Sequence, residues 1–217
     1  MLIEKNSKLV MIGDSITDFE RARPIGEGLG GALGKSYVGL VDGLLSVTYP
    51  DYKIRVVNMG TSGDTVRHLK ARWQTDVLDL KPDWLSVMIG VNDVWRQFDM
   101  PLITEEHVYL DEYKKTLEEL VSQTRPLLKG LVLMTPYYIE KNKSDPMRAA
   151  MDQYGAVVRT IAKEYDAVFV DTQAAFDEIL EHYYPAAINW DRIHPNIFGH
   201  IVLSRAFLNA VGFAWRE

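Results

Sequence analysis

Hydrophobic positions along this chain fall into two alternating patterns. Short β-branched runs at residues 8–12, 54–58, 84–89, 130–134 and 167–170 have the length and makeup of strands buried on both faces. Between them, residues 36–48, 64–80, 108–125, 146–165, 172–183 and 198–211 repeat apolar positions at helical spacing, the mark of amphipathic helices. Pro82, Pro126 and Pro146 stand at element ends, where a residue without an N–H donor is tolerated. Strand and helix taking turns throughout predict an α/β fold, a three-layer sandwich with a five-stranded parallel sheet between helices, because right-handed crossovers allow little else. No repeat, low-complexity tract or linker interrupts the pattern, so a single domain is expected over residues 1–217.

Composition narrows the partners. A net charge of -6 in 217 residues lacks the concentration of Lys and Arg that nucleic acid or an anionic membrane surface would require. Cysteine is absent, which excludes disulfides, thiolate zinc sites and a cysteine nucleophile together. The first apolar run, residues 8–12, is far shorter than an export signal's core or a membrane span, and the cytoplasm is the expected compartment. No histidine and carboxylate spacing suggests a metal, and the reading calls for no cofactor. Two lettered motifs are decoys. Gly26-x-Gly28-x-x-Gly31 spells a dinucleotide fingerprint, but Pro24 and a polar stretch separate it from any strand. Gly34-Lys35-Ser36 imitates the end of a phosphate loop, yet the position that demands glycine is Leu29.

The polar segments that follow the strands carry the candidate chemistry. Parallel strands bring their carboxyl ends side by side, so Gly13-Asp14-Ser15, Gly60-Thr61-Ser62-Gly63-Asp64 and Gly90-Val91-Asn92-Asp93 converge on one crevice. Near the other end of the chain stands Asp191-Arg192-Ile193-His194. A hydroxyl nucleophile needs an imidazole to take its proton, and the imidazole needs a carboxylate to fix its tautomer; Ser15, His194 and Asp191 supply the three types. Either Gly60 or Gly63 offers an amide that a substrate oxygen can approach without a Cβ in the way. The Asn92 carboxamide can donate to a developing oxyanion. Among the other histidines, His200 follows Gly199, His68 sits in the helix after the second strand, and His107 and His182 lie in polar surroundings. Each is expected at the surface or behind the reacting groups, and His194 ranks first. No Gly-x-Ser-x-Gly elbow is present, which counts against an α/β-hydrolase fold.

Taken together, the four blocks resemble the SGNH hydrolases, also called the GDSL esterases and lipases, whose four marker residues match Ser15, Gly63, Asn92 and His194. The resemblance implies a flavodoxin-like strand order 2-1-3-4-5, a Ser15–His194–Asp191 triad, and an oxyanion hole from the Ser15 and Gly63 amides with the Asn92 side chain. It also favours Gly63 over Gly60. Residues 14–18 with Arg21-Ala22-Arg23-Pro24, and residues 90–97, 134–140 and 170–176, look like the bacterial acetylxylan esterases of this family. That narrower likeness implies removal of acetyl groups from xylo-oligosaccharides, a small acetylated sugar being the partner. Trp95, Trp190 and Tyr184, close to the motifs, are candidate sugar contacts, since aromatic rings pack on the apolar faces of pyranoses. Trp190 and Trp215 also suit an interface between copies, and a homo-oligomer is expected. Two other readings stand beside this one: an esterase or thioesterase for other acyl chains, and a non-catalytic carbohydrate-binding relative.

Overall fold

A computed structural model describes residues 1–215. Five strands form its centre: β1 (Lys8–Gly13), β2 (Arg55–Asn58), β3 (Trp84–Met88), β4 (Gly130–Met134) and β5 (Val168–Val170). All pairings are parallel, in the order β2-β1-β3-β4-β5. Leu9 to Ile12, Leu85 to Met88 and Leu131 to Met134 are buried along both faces, as the continuous apolar runs require. Strand boundaries differ from the sequence expectation by a residue at most: Gly13 belongs to β1, whereas Ile54, Ile89 and Ala167 lie just outside their strands.

The chain steps one way across the sheet from β1 to β2 and the other way for every later strand. Because each crossover is right-handed, that reversal sends its helices to opposite faces. The helices are α1 (Ser15–Asp18), α2 (Tyr37–Thr48), α3 (Val66–Trp73), α4 (Val91–Asp99), α5 (Leu110–Thr124), α6 (Pro146–Glu164), α7 (Thr172–Leu180), α8 (Pro185–Ile188) and α9 (Ile197–Ala210). One group is α2 on α9 and α9 on α7; the other is α3 on α5 and α5 on α6. The Trp73 indole donates to Thr124 Oγ1 at 2.8 Å, tying α3 to α5 inside the second group. Arg148 does the same between α6 and α7, its buried guanidinium bonding both oxygens of Asp177 at 2.8 and 2.7 Å. Among the described residues no helix is long and apolar enough to cross a membrane.

Helix ends follow local chemistry. Ser36 caps α2 through Val38, Asp145 caps α6 with Pro146 in its first turn, and Asn196 caps α9 through Phe198. The segment expected to be helical over residues 64–80 starts two residues later, and its last turn, Gln74–Leu78, is a wider π turn. The stretch 172–183 ends at Leu180. The apolar pattern gave no sign of α4, because two of its buried positions are Asn92 and Asp93 rather than apolar residues.

Candidate active site

Four segments meet beyond the carboxyl ends of β1, β2 and β3. Gly13 closes β1 where a Cβ would fall 2.4 Å from the Met88 carbonyl oxygen, so only glycine lets the chain turn there. Asp14 then caps the short α1, its Oδ1 accepting from Ile16 N at 3.0 Å, and Ser15 takes the first helical position. The nucleophile candidate is thereby fixed by its own neighbours.

The last segment is organised by one carboxylate. Asp191 Oδ1 accepts from Ile193 N at 2.9 Å and His194 N at 3.0 Å, while Oδ2 lies 2.7 Å from His194 Nδ1. This double use explains the Asp-x-x-His spacing, because one side chain folds the turn and holds the ring that ends it. The turn is pinned in turn by the chain after β4. Tyr137 Oη donates to Ile193 O at 3.0 Å, Ile139 N donates to Arg192 O at 3.0 Å, and Glu140 pairs with Arg192. A carboxylate can only accept, so the His194 proton rests on Nδ1 and Nε2 remains an acceptor. Ser15 Oγ stands 2.8 Å from that nitrogen. Residues 179 apart in sequence thus form one hydrogen-bonded chain from hydroxyl to acid.

The amide side of the crevice is braced by charged residues to which the sequence assigned no role in the site. Asp18, buried, accepts from Ser62 N at 3.0 Å, Ser62 Oγ at 2.9 Å and Arg23 at 2.7 Å. Burial disfavours its charge, but Arg23 and Ser62 together hold its carboxyl below the usual range. Arg21 Nε donates to Gly60 O at 2.6 Å, and Arg72 bonds Asp64 at 2.6 Å, Met59 O at 2.7 Å and Gly13 O at 3.0 Å. Gly63 sits at φ +84 with open space around its Cα and lines the crevice. Gly60 does not: a Cβ there would lie 2.2 Å from Asp18 N, so its role is close packing on α1. The amides of Ser15 and Gly63 have no intramolecular acceptor among the described residues.

Asn92 completes that side. Its Nδ2 donates to Asp64 O at 2.9 Å, and its Oδ1 accepts from Arg96 at 3.3 Å. A carbonyl can only accept and a guanidinium can only donate, so the two neighbours fix which end of the carboxamide faces which way. The second Nδ2 hydrogen is left for the crevice. Asp93 turns inward instead, capping α3 through Val66 N at 3.0 Å. Asp14 and Asp93 are both fully enclosed, and burial pushes each up to about 7.

Trp95 forms the remaining wall. Its ring lies 5.7 Å from the His194 imidazole, and the Arg96 guanidinium stacks on it at 4.3 Å. The crevice, about 480 Å³, takes in Ser15, Gly63, Asn92, Trp95 and His194 together. Tyr184 and Trp190 are exposed and stand outside its lining. The other histidines separate. His68 Nδ1 accepts from Thr65 N at 3.1 Å at the start of α3, and His182 is exposed. His200 and His107, expected at the surface or behind the reacting groups, are both buried. His200 Nδ1 accepts from Tyr37 N at 3.2 Å, and burial pushes its ring down to about 4, which makes it a neutral core residue. A cavity of about 350 Å³ between α6 and α7 holds Arg148, Asp152, Asp177, Arg159 and Asp171, but these charges are paired with one another and none comes from the converging segments.

Residues 11–201 match the model of the GDSL-like lipase/acylhydrolase family. An acetylxylan esterase of Geobacillus stearothermophilus is 61% identical over 215 residues, 99% of this chain and 98% of that protein. Structures of catalytic mutants of that esterase, S15A, D191A and H194A, each 60% identical, cover 100% of this chain and 99% of theirs with TM-scores of 0.99. An alpha/beta hydrolase enzyme from the metagenome of Lake Arreo, Spain, is 53% identical with a TM-score of 0.98, each chain covered fully at 100%.

Proposed function

The chain belongs to the GDSL-like lipase/acylhydrolase family, and from that premise we propose that it is a serine esterase that removes acetyl groups from xylo-oligosaccharides. The observation that carries the chemistry is the unbroken path Ser15 Oγ, His194 Nε2, His194 Nδ1, Asp191 Oδ2, with contacts of 2.8 and 2.7 Å. The substrate class follows from the acetylxylan esterase to which nearly the whole chain is similar. Its catalytic mutants S15A, D191A and H194A support the same roles for Ser15, Asp191 and His194, since each number carries the same residue type in this chain.

In the proposed reaction Ser15 Oγ attacks the acetyl carbonyl as its proton passes to His194 Nε2. Asp191 keeps the imidazole oriented and stabilises the cation that forms. The tetrahedral oxygen meets the Ser15 amide, the Gly63 amide and Asn92 Nδ2, donors that are in place before the reaction and so need no reorganisation. His194 next delivers its proton to the departing sugar oxygen, leaving an acetyl-serine. A water that gives its proton to the same nitrogen then attacks, and acetate leaves as Ser15 regains its proton. No metal or cofactor enters this scheme. Trp95 would border the sugar, whereas the exposed Trp190, with Trp215, suits the contact expected between copies of the chain.

Hydrolysis of p-nitrophenyl acetate and of acetylated xylo-oligosaccharides tests the reading. Ser15→Ala should lower kcat about a thousandfold or more with the fold intact. Turnover in that variant close to the parent's would remove Ser15 as nucleophile.

A further inference from the structure

Beyond Trp95 the surface does not flatten. A second groove of about 330 Å³ begins on the far side of that residue, which lines both this groove and the catalytic crevice. Trp95 is a fixed partition between them, held by the stacked Arg96 guanidinium and by the His194 ring. Past it lie Phe98, Tyr138 and Met147, with Asp99 and Asp145 among them.

We propose that this groove is a sugar subsite, holding a xylose residue next to the one whose acetyl group reaches Ser15; the proposal rests on the reading of the active site above. A pyranose ring presents an apolar C–H face and a rim of hydroxyls, and the groove matches both. Rings and a thioether supply the apolar surface. The carboxylates supply acceptors. Asp99 spends Oδ2 on Arg96, and Asp145 spends Oδ1 on the Met147 and Arg148 amides, which leaves each with an oxygen free of intramolecular partners among the described residues. No Lys or Arg side chain lines the groove, so it suits a neutral polyol and disfavours a uronate or a phosphate. Its volume falls in the range of small-ligand sites. Phe98 adds a separate observation. It sits one turn beyond the fully buried Val94, yet 42% of its surface stays in water at the groove's lip. A stacked sugar ring would cover it.

The test compares the specificity constant for acetylated xylotriose with that for an acetylated methyl xyloside too short to span the partition. The parent protein should favour the trisaccharide by about tenfold or more. In Phe98→Ala that ratio should fall to near one, and Phe98→Tyr should restore it. Asp145→Asn keeps a capping residue on α6 and should lower the ratio about threefold. Because the ratio is internal to each preparation, partial unfolding of a variant cancels. The proposal is overturned if the parent shows no preference for the longer substrate, or if Phe98→Ala keeps it. Retention of the preference together with a changed oligomeric mass would assign Phe98 to a contact between copies and would also end the proposal. Cleavage of small esters without chain-length preference removes the subsite alone; cleavage of no ester at all removes the active-site reading and the subsite with it.

Discussion

Arg96 touches no reacting atom in the proposed scheme, yet three of its contacts bear on one. It donates to Asn92 Oδ1 at 3.3 Å, stacks on Trp95 at 4.3 Å and is held by Asp99 at 2.5 Å. A cation on the amide oxygen draws electron density away from Nδ2, so the donor aimed at the oxyanion is both oriented and strengthened. The oxyanion is absent from the ground-state complex and develops only on the way to the tetrahedral intermediate, which decides how the loss would read. Arg96→Ala should lower kcat on p-nitrophenyl acetate by about ten- to a hundredfold while KM moves less than about twofold. A rise in KM at constant kcat would make Arg96 a substrate contact instead. Ser15, Gly63 and Asn92 were legible in the sequence because they stand in short polar blocks that follow strands, and Asp191 and His194 because of their Asp-x-x-His spacing ahead of the last helix. Arg96, Asp18, Arg21 and Arg72 were not, since a charged side chain read without its fold defaults to the solvent. Only burial and partners reveal the difference, as Arg21 at 6% exposure shows.

At the level of elements, the strands announced themselves and their supports did not. Continuous β-branched runs have one stable home, the middle of a parallel sheet, which is why β4 was placed to the residue and the others within one. α1 and α8, of four residues each, are too short to show a period, and α4 hides its inward face behind Asn92 and Asp93. What holds α1 in place is a side chain at the end of β2. Asn58, fully buried, donates to Thr17 O at 2.7 Å and Leu33 O at 2.8 Å and accepts from Gly60 N at 2.9 Å. One carboxamide thus joins the helix of Ser15, the loop before α2 and the second block. Asn58→Asp keeps the shape and the acceptor but turns the two donated bonds into repulsions between oxygens. It should cost about 3 kcal/mol, seen as a melting temperature lower by about 6–12 °C. Esterase activity should fall in the same variant, because the carbonyls released belong to the segment that carries Ser15. A melting temperature unchanged within error would show that the neighbouring backbone bonds suffice.

Across the whole molecule, the buried ionisable groups beneath the crevice make stability depend on pH in two opposing ways. His200, pushed down to about 4, takes up its proton more readily in the unfolded chain, so it subtracts stability as pH falls below about 6.5. Asp93 acts in the other direction. Pushed up to about 7 from 3.8, it binds its proton more tightly in the folded state than in the unfolded one. Stability from that proton is present at low pH and is lost as pH rises through 7. The cause is geometric: Oδ1 accepts from Val66 N, whereas Oδ2 is buried with no hydrogen-bond partner. Asp14 shares the arrangement and the direction, with its own Oδ2 unpartnered. Asp93→Asn keeps the acceptor for Val66 and removes the charge, so the difference between the two proteins reads the Asp93 carboxyl together with its smaller interaction with Asp14. Between pH 5 and pH 8 that difference should shift in favour of the variant by about 2–3 kcal/mol, or about 5–10 °C in melting temperature. Calorimetry at the two pH values measures it. A gap that stays constant with pH would mean that Asp93 has the same proton affinity folded and unfolded, and the enclosed oxygen would then have to be solvated by water reaching beneath α4.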